Sequence, residues 1–296
     1  MFIKRLPRFE YHAPASLPEA LELLSRWGEK AKVFAGGTDL LVSMKKREVL
    51  PNHLINLKGI SELKGVSDEK EGLKIGALVT LGEIERSKTV KEKYSILWEA
   101  VSVMASPQVR TLGTIGGNLS SAVPSADTAP PLIALGASVS LKGIQGERKI
   151  LVQDFFKGPG ESVLKPDEIL TQILIPKPSD GSGGTYLKMM RRNALDLALV
   201  GVAVSLRLDS ERKVCKEARI VLGAVAPTPI RAPKAEEILI GKEMNEALAK
   251  EAGRMASEEA RPISDVRASM EYRQTIISIL TKRALMKAYN MIRERG

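Results

Sequence analysis

From Ser106 to Pro131 the chain is dominated by Gly, Ser, Pro, Thr and Ala and carries almost no charge. Structureless surface loops of that length are uncommon in compact domains. A loop in water would also be expected to carry more charged side chains. The stretch therefore reads as a loop wrapped around a ligand. It contains a glycine pair, Gly116-Gly117, between Thr114-Ile115 and Asn118, and a lone carboxylate, Asp127, nine residues beyond Asn118. An isolated carboxylate among small residues suits a ribose diol or an adenosine hydroxyl. It also suits a helix N-cap before Pro130. On the first reading, removing it weakens ligand binding and leaves the fold intact.

A second glycine pair lies upstream, in Val33-Phe34-Ala35-Gly36-Gly37-Thr38-Asp39-Leu40-Leu41. Here a short apolar strand runs into two glycines and a helix start. Glycine admits positive φ and lets a ligand approach the backbone closely. Successive N–H groups in such a turn form a concave anion site, reinforced by the helix N-terminus. The segment matches neither G-x-G-x-x-G nor the P-loop. Taken alone, it describes a tight turn with Thr38 as N-cap equally well.

Composition narrows the chemistry. A single cysteine, Cys215, excludes an internal disulfide, a Cys-based zinc finger and a four-Cys iron–sulfur cluster held by this chain. Two histidines, His12 and His53, exclude a three-His zinc site and an H-E-x-x-H helix. Redox chemistry would have to come from an organic cofactor or a partner chain. Aromatics are 4% of the chain, too few for a base-stacking platform. The net charge is +10, of which +7 follows residue 180. Blocks of like charge are absent, so the excess reads as solvated surface or a face for an acidic protein, with no nucleic acid as partner. The start lacks an apolar signal core, and the longest apolar run, Leu197 to Leu206, is far short of the roughly 20 residues of a membrane span. A cytoplasmic protein without a membrane span is expected.

Patterning predicts strands at 8–12, 32–35, 53–57, 72–77, 137–141, 149–152 and 168–175. Ser16 and Glu19 form a capping box for a helix bearing Ala20, Leu21, Leu23 and Leu24. Further helices are expected at 38–46, 81–86 and 95–105. Pro176 to Gly184 is the strongest breaker cluster and marks a linker. Strands at 185–190, 203–208 and 218–225 follow, then helices at 232–240, 245–260 and 269–295.

The two glycine segments, A-G-G-T-D-L-L and T-I-G-G-N-L-x-x-A-x-P-x-A-D, together resemble the FAD-binding subunits of the xanthine dehydrogenase family. Medium subunits of carbon monoxide dehydrogenase and related molybdenum hydroxylases are similar. Lys165 to Leu170, Thr185 to Arg192 with Asp196 to Ala198, and Tyr272-Arg273 with Arg283 to Leu285 resemble its later blocks, so the resemblance covers nearly the whole chain.

The resemblance implies an α+β fold. A two-lobed FAD domain of the vanillyl-alcohol oxidase (PCMH) type would span 1–178, with lobes of about 1–57 and 58–178. A C-terminal domain of antiparallel sheet plus helices would span 184–296. It further implies non-covalent FAD, with Val33, Phe34, Ala35, Gly36, Gly37, Thr38, Asp39 and Leu40 wrapping the pyrophosphate. Thr114, Ile115, Gly116, Gly117 and Asn118 would complete that cradle. Asp127 would hold adenosine-side hydroxyls, Leu170 would pack on the flavin, and Lys188 would reach the isoalloxazine. Met104 lies where some relatives place an aromatic. The implied function is an oxidoreductase subunit that takes electrons from a 2Fe–2S subunit and passes them to an external acceptor such as NAD, a quinone or ferredoxin. A large molybdenum-cofactor subunit would complete a dimer of heterotrimers. Two other readings are a stand-alone reductase resembling UDP-N-acetylenolpyruvoylglucosamine reductase and a non-catalytic flavin-binding assembly protein.

Overall fold

The computed structural model describes residues 5–192 and 195–294; Met1 to Lys4, at the start of the chain, and Arg295, at the end of the expected last helix, lie outside them. Among the described residues, three larger sheets follow one another along the chain, with a fourth of only two strands. The first is parallel, in the order β1 (Glu10–His12), β3 (His53–Asn56), β2 (Ala31–Phe34). Helix α1 (Leu17–Trp27) packs Leu17, Ala20, Leu21 and Leu24 onto it, giving the N-terminal lobe its own core. Half of the expected capping box forms: Ser16, the N-cap, accepts from the Glu19 N–H, but the Glu19 carboxylate accepts from the Ala15 N–H at 2.8 Å, one residue ahead of the N-cap N–H that a box would use. Gly28, at φ +50°, ends the helix.

The second sheet has the order β4 (Val66–Glu69), β5 (Gly72–Gly76), β10 (Ile169–Pro176), β6 (Ser138–Gly143), β7 (Gly146–Leu151). A hairpin of β8 (Phe156–Gly158) and β9 (Glu161–Ser162) precedes β10. Strand β4 falls where the sequence suggests only a charged turn. Its residues 67–69 are exposed, so no apolar alternation marks it. Between β5 and β6 run α3 (Leu81–Arg86), α4 (Lys88–Lys93), α5 (Ser95–Ser102), α6 (Pro107–Arg110), α7 (Ile115–Ser120) and α8 (Ala129–Ala134). The expected single long loop is thus a chain of short helices. Ser106 caps α6 and Thr114 caps α7, each through its side-chain oxygen. Helix α5 stops short of the expected end; Val103 leaves the helical region and Ala105 takes φ +48°.

The third sheet is antiparallel: β11 (Ser182–Met189), β12 (Val200–Leu208), β13 (Cys215–Gly223), β14 (Ile230–Arg231). It begins inside the breaker cluster, three residues ahead of the expected Thr185. Helices α9 (Pro233–Glu237), α10 (Glu246–Glu259) and α11 (Met270–Glu294) complete the chain; in the first lobe, α2 (Leu40–Lys46) follows the first glycine pair. The third sheet is buried on both faces. Val200, Val202, Val204 and Leu206 point at α10 and α11, while Tyr186, Ala203 and Val221 join the core of the second sheet. The close approach is glycine-dependent at Gly184, where a Cβ would come within 2.1 Å of the Val204 carbonyl oxygen and 2.5 Å of Ile96.

Arg273, 1% exposed, latches α11 in place. Its guanidinium donates to the Leu199 carbonyl at 2.6 Å and to Asp265 at 2.9 Å. Asp265 also accepts from the Arg267 side chain and from the N–H groups of Arg267 and Ala268. These donors hold its carboxyl well below the usual carboxylate range. Arg273→Leu leaves the buried Leu199 carbonyl without its partner. It is expected to lower unfolding free energy by about 2–3 kcal/mol, read from urea melts. The lowered pKa of Asp265 contributes stability above about pH 4, lost as pH falls through the native value. The stability gap between wild type and Asp265→Asn should therefore shrink as melts are moved from neutral pH into acid.

Candidate functional site

The fold brings the two glycine segments together although they lie about 75 residues apart. The peptide at Gly36 packs directly on Leu112-Gly113: a Cβ on Gly36 would sit 2.1 Å from the Leu112 carbonyl oxygen and 3.0 Å from the Gly113 Cα. Gly37 takes φ +73°. Ser121 Oγ donates to Asp39 Oδ2 at 2.9 Å, tying the end of α7 to the turn before α2. Asp39, not Thr38, holds the N-cap position of α2, yet its side chain caps no helical N–H because Ser121 engages it. Among the described residues, no protein acceptor takes the N–H groups of Gly36, Gly37, Thr38, Asp39 or Leu40. Val33, Phe34, Ala35 and these residues are half-buried, apart from the exposed Asp39.

The facing rim is α7. Thr114 Oγ1 accepts the Gly117 N–H at 3.1 Å. A Cβ on Gly116 would fall 2.7 Å from Ala77, so the helix sits flush on the end of β5. Ile115 fills the core below, and Asn118 Oδ1 accepts from Thr128 Oγ1 at 2.6 Å. That bond joins the glycine rim to the segment carrying Asp127.

Asp127 is no N-cap; that position of α8 belongs to Thr128. Its carboxylate is 4% exposed and binds two side chains of β11. Tyr186 donates its hydroxyl at 2.7 Å, and Lys188 its ammonium at 2.8 Å. The two β11 residues are two apart, so one face of the strand presents both. Lys188 is itself 1% exposed at the side chain. Burial pushes the Asp127 carboxyl above its ordinary range, against the pull of Lys188 and the two hydrogen bonds. Burial and the Asp127 charge drive the Tyr186 hydroxyl well above its usual value, so it stays a donor at any physiological pH.

One ion pair occupies one place. The structure thus sets side by side two residues that the resemblance assigns to opposite ends of FAD. Sequence reasoning missed Tyr186; its spacing of two from Lys188 was the available signal. Leu170, at a bulge in β10, and Met104 are buried in the core shared by the second and third sheets. The Met104 carbonyl accepts from Arg110 at 2.6 Å.

The pair also changes what a single substitution reports. Asp127→Ala strands a buried ammonium and is expected to destabilise the chain by about 3–5 kcal/mol, contrary to the expectation of an intact fold. Lys188→Met strands the carboxylate, which can take up a proton. The double variant is expected to be more stable than Asp127→Ala alone, and a double-mutant cycle by thermal or urea unfolding measures the coupling.

Residues 7–178 match the family described as the FAD binding domain in molybdopterin dehydrogenase, and residues 185–288 match the CO dehydrogenase flavoprotein C-terminal domain. The carbon monoxide dehydrogenase medium chain of Hydrogenophaga pseudoflava is 36% identical over 287 residues, covering 96% of this chain and 98% of the relative. The xanthine dehydrogenase FAD-binding subunit of Escherichia coli O157:H7 is 31% identical over 280 residues, covering 94% and 95%. Among solved structures, a carbon monoxide dehydrogenase from H. pseudoflava superposes with a TM-score of 0.93 at 36% identity, covering 97% of this chain and 99% of that one. Nearly full-length matches of this kind, over a fold whose glycine rims and buried ion pair fall within the matched segments, show that the chain belongs to the FAD-binding medium subunits of the xanthine dehydrogenase and carbon monoxide dehydrogenase family.

Proposed function

We propose that this chain is the flavin module of a molybdenum hydroxylase complex. It would receive electrons from a 2Fe–2S subunit and deliver them to an external acceptor such as NAD, a quinone or ferredoxin. The observation that carries the reading is the pair of apposed glycine segments with five N–H groups left without protein acceptors. Such groups can grip an anion, and a pyrophosphate supplies one. Between Val33 and Leu41 and between Thr111 and Ala126 the sole charged residue is Asp39. The two segments therefore offer backbone dipoles rather than Lys or Arg of their own, although Lys58 reaches over the Phe34 ring at 4.6 Å. Bound FAD supplies the redox chemistry, and the protein supplies binding, orientation and electrostatics.

Each part of the chain has a place in this reading. Residues 36–40 and 114–118 hold the pyrophosphate. The Tyr186–Asp127–Lys188 group serves one end of the cofactor, and Lys188 makes that the isoalloxazine end. Leu170 and Met104 form the apolar wall behind it. Neither histidine lies there; both are in the first sheet. A large molybdenum subunit and a small iron–sulfur subunit are the proposed partners, in a dimer of heterotrimers. Relatives are named for carbon monoxide, xanthine, nicotinate and caffeine. A medium chain with so many different substrates behind it is not where the substrate is chosen. A cytoplasmic location remains part of the proposal; among the described residues, no helix is long and apolar enough to cross a membrane.

Purified chain is expected to take up one FAD and to release it, yellow, into the supernatant on acid precipitation. Reduced with dithionite, it should reoxidise on addition of an acceptor. It should not turn over organic substrates without its partners. Turnover by the chain alone at ordinary enzyme rates, roughly 1–1000 per second, would instead favour the stand-alone reductase. Flavin that no acceptor reoxidises would favour an assembly protein. Gly36→Ala forces the two glycine segments apart. At about 1–3 kcal/mol for overpacking, FAD affinity should fall on the order of tenfold or more, measured by fluorescence titration.

A further inference from the structure

The chain has only two histidines, and the fold sets them side by side. Glu10 and His12 are two apart on β1, so their side chains leave the same face of the sheet. β1 pairs with β3 so that Glu10 is in register with His53. His12 Nε2 lies 3.2 Å from His53 Nδ1, and Glu10 Oε2 lies 3.4 Å from that same nitrogen. The three donor atoms all fall within 4.8 Å of one another. Among the described residues, no other group of three His, Cys, Asp or Glu side chains is so disposed.

These distances have a chemical meaning. Zinc binds His nitrogen and carboxylate oxygen at about 2.0–2.2 Å in tetrahedral geometry, which sets ligand atoms about 3.3–3.5 Å apart. The observed separations of 3.2 and 3.4 Å are close to the edges of such a tetrahedron. The donor set, two imidazoles and one carboxylate, leaves a fourth position for water. Access differs from side to side. The His53 side chain is 8% exposed and lies under the Trp27 ring, stacked with centroids 3.8 Å apart, whereas Glu10 is 72% exposed. An ion would enter past Glu10 and meet a fixed imidazole. The flavin reading uses none of the three. In β2, Ala31 is the residue in register with His53, and four residues separate it from Gly36, so the cluster lies at the other end of the parallel strands from the glycine rim.

We propose that Glu10, His12 and His53 bind one divalent cation of the zinc type, which staples β1 to β3. Strand β1 is three residues long and sits at the edge of the first sheet. An ion held by both strands adds its binding free energy to the folded state. Zinc has no redox chemistry of its own. The staple would therefore support the lobe that carries the first glycine segment without intruding on electron transfer.

The test uses the full-length, tag-free chain with FAD bound, stripped of metal by a chelator. Zn2+ is titrated by calorimetry, and Co2+ by visible absorption. The expected result is one ion per chain, tetrahedral Co2+ bands with no thiolate charge-transfer band, and a thermal midpoint that rises with Zn2+. His12→Ala and Glu10→Gln, both on the edge strand, should each weaken binding at least tenfold and abolish the midpoint shift, with flavin content unchanged. Absence of saturable uptake in the wild type overturns the proposal and leaves a His–His hydrogen bond beside a surface carboxylate. So does binding that neither variant weakens.

Discussion

Asp127 is the only charged residue between Arg110 and Lys142, and it is buried. A carboxylate in that position is tolerable only if its charge is met, and Lys188 and Tyr186 meet it from another sheet. The pair therefore fixes where the third sheet sits against the helices of the second. Around it the same interface is closed by Glu99 on α5, which accepts from the Tyr186 N–H at 2.8 Å and from Lys287 on α11 at 2.7 Å. Moving β11 by one residue would turn Tyr186 and Lys188 to the opposite face and strand the Asp127 carboxylate. Register, the joint between the two halves and the electrostatics beside the proposed cofactor all hang on that one contact. Such a pair is weak evidence for net stability, since its desolvation offsets much of its attraction. Its value here is specificity of arrangement.

Much of the fold was legible because it rests on local rules. The Ser16 N-cap, the apolar face of α1 and helix α3 all follow from short-range capping and periodicity, and they appear where the pattern places them. The long segment after Ser106 reads as loop in the sequence for an equally physical reason. Its helices have four to six residues, too short to show an amphipathic period. Their signals were the caps Ser106 and Thr114 and the prolines at 107 and 130, each of which also reads as a turn signal. Strand β4 hid because its outer residues face water.

The site was legible in its parts and not in its assembly. Both glycine pairs stand out in the sequence, but their contact depends on Gly36 meeting the Leu112 carbonyl, a long-range backbone fit that no local pattern encodes. Asp127 stood out by its isolation. Its partner did not, because Lys188 is one of many lysines until β11 and its face are known. The histidines fall one each on two expected strands, and no local pattern pairs them. Their meeting depends on the parallel pairing of β1 with β3, which places residues 12 and 53 together across 41 positions of chain.

The two ends of the N-terminal lobe would hold charge by opposite means. At one end the glycine rim offers N–H dipoles and no cationic side chain of its own, so an anion bound there costs little side-chain ordering when it arrives. A grip of this kind is set by backbone geometry. It tolerates no Cβ at Gly36, and salt should weaken it less than a clamp of exposed lysines. At the other end, side chains from two strands converge with nitrogen and carboxylate donors, which fits a cation. The four-residue β2, in contact with β3 along its whole length, joins these ends. Whatever steadies β3 against β1 therefore also steadies the strand that delivers Gly36 and Gly37, and a rigid parallel sheet is what lets a backbone-only cradle keep its shape before the cofactor arrives.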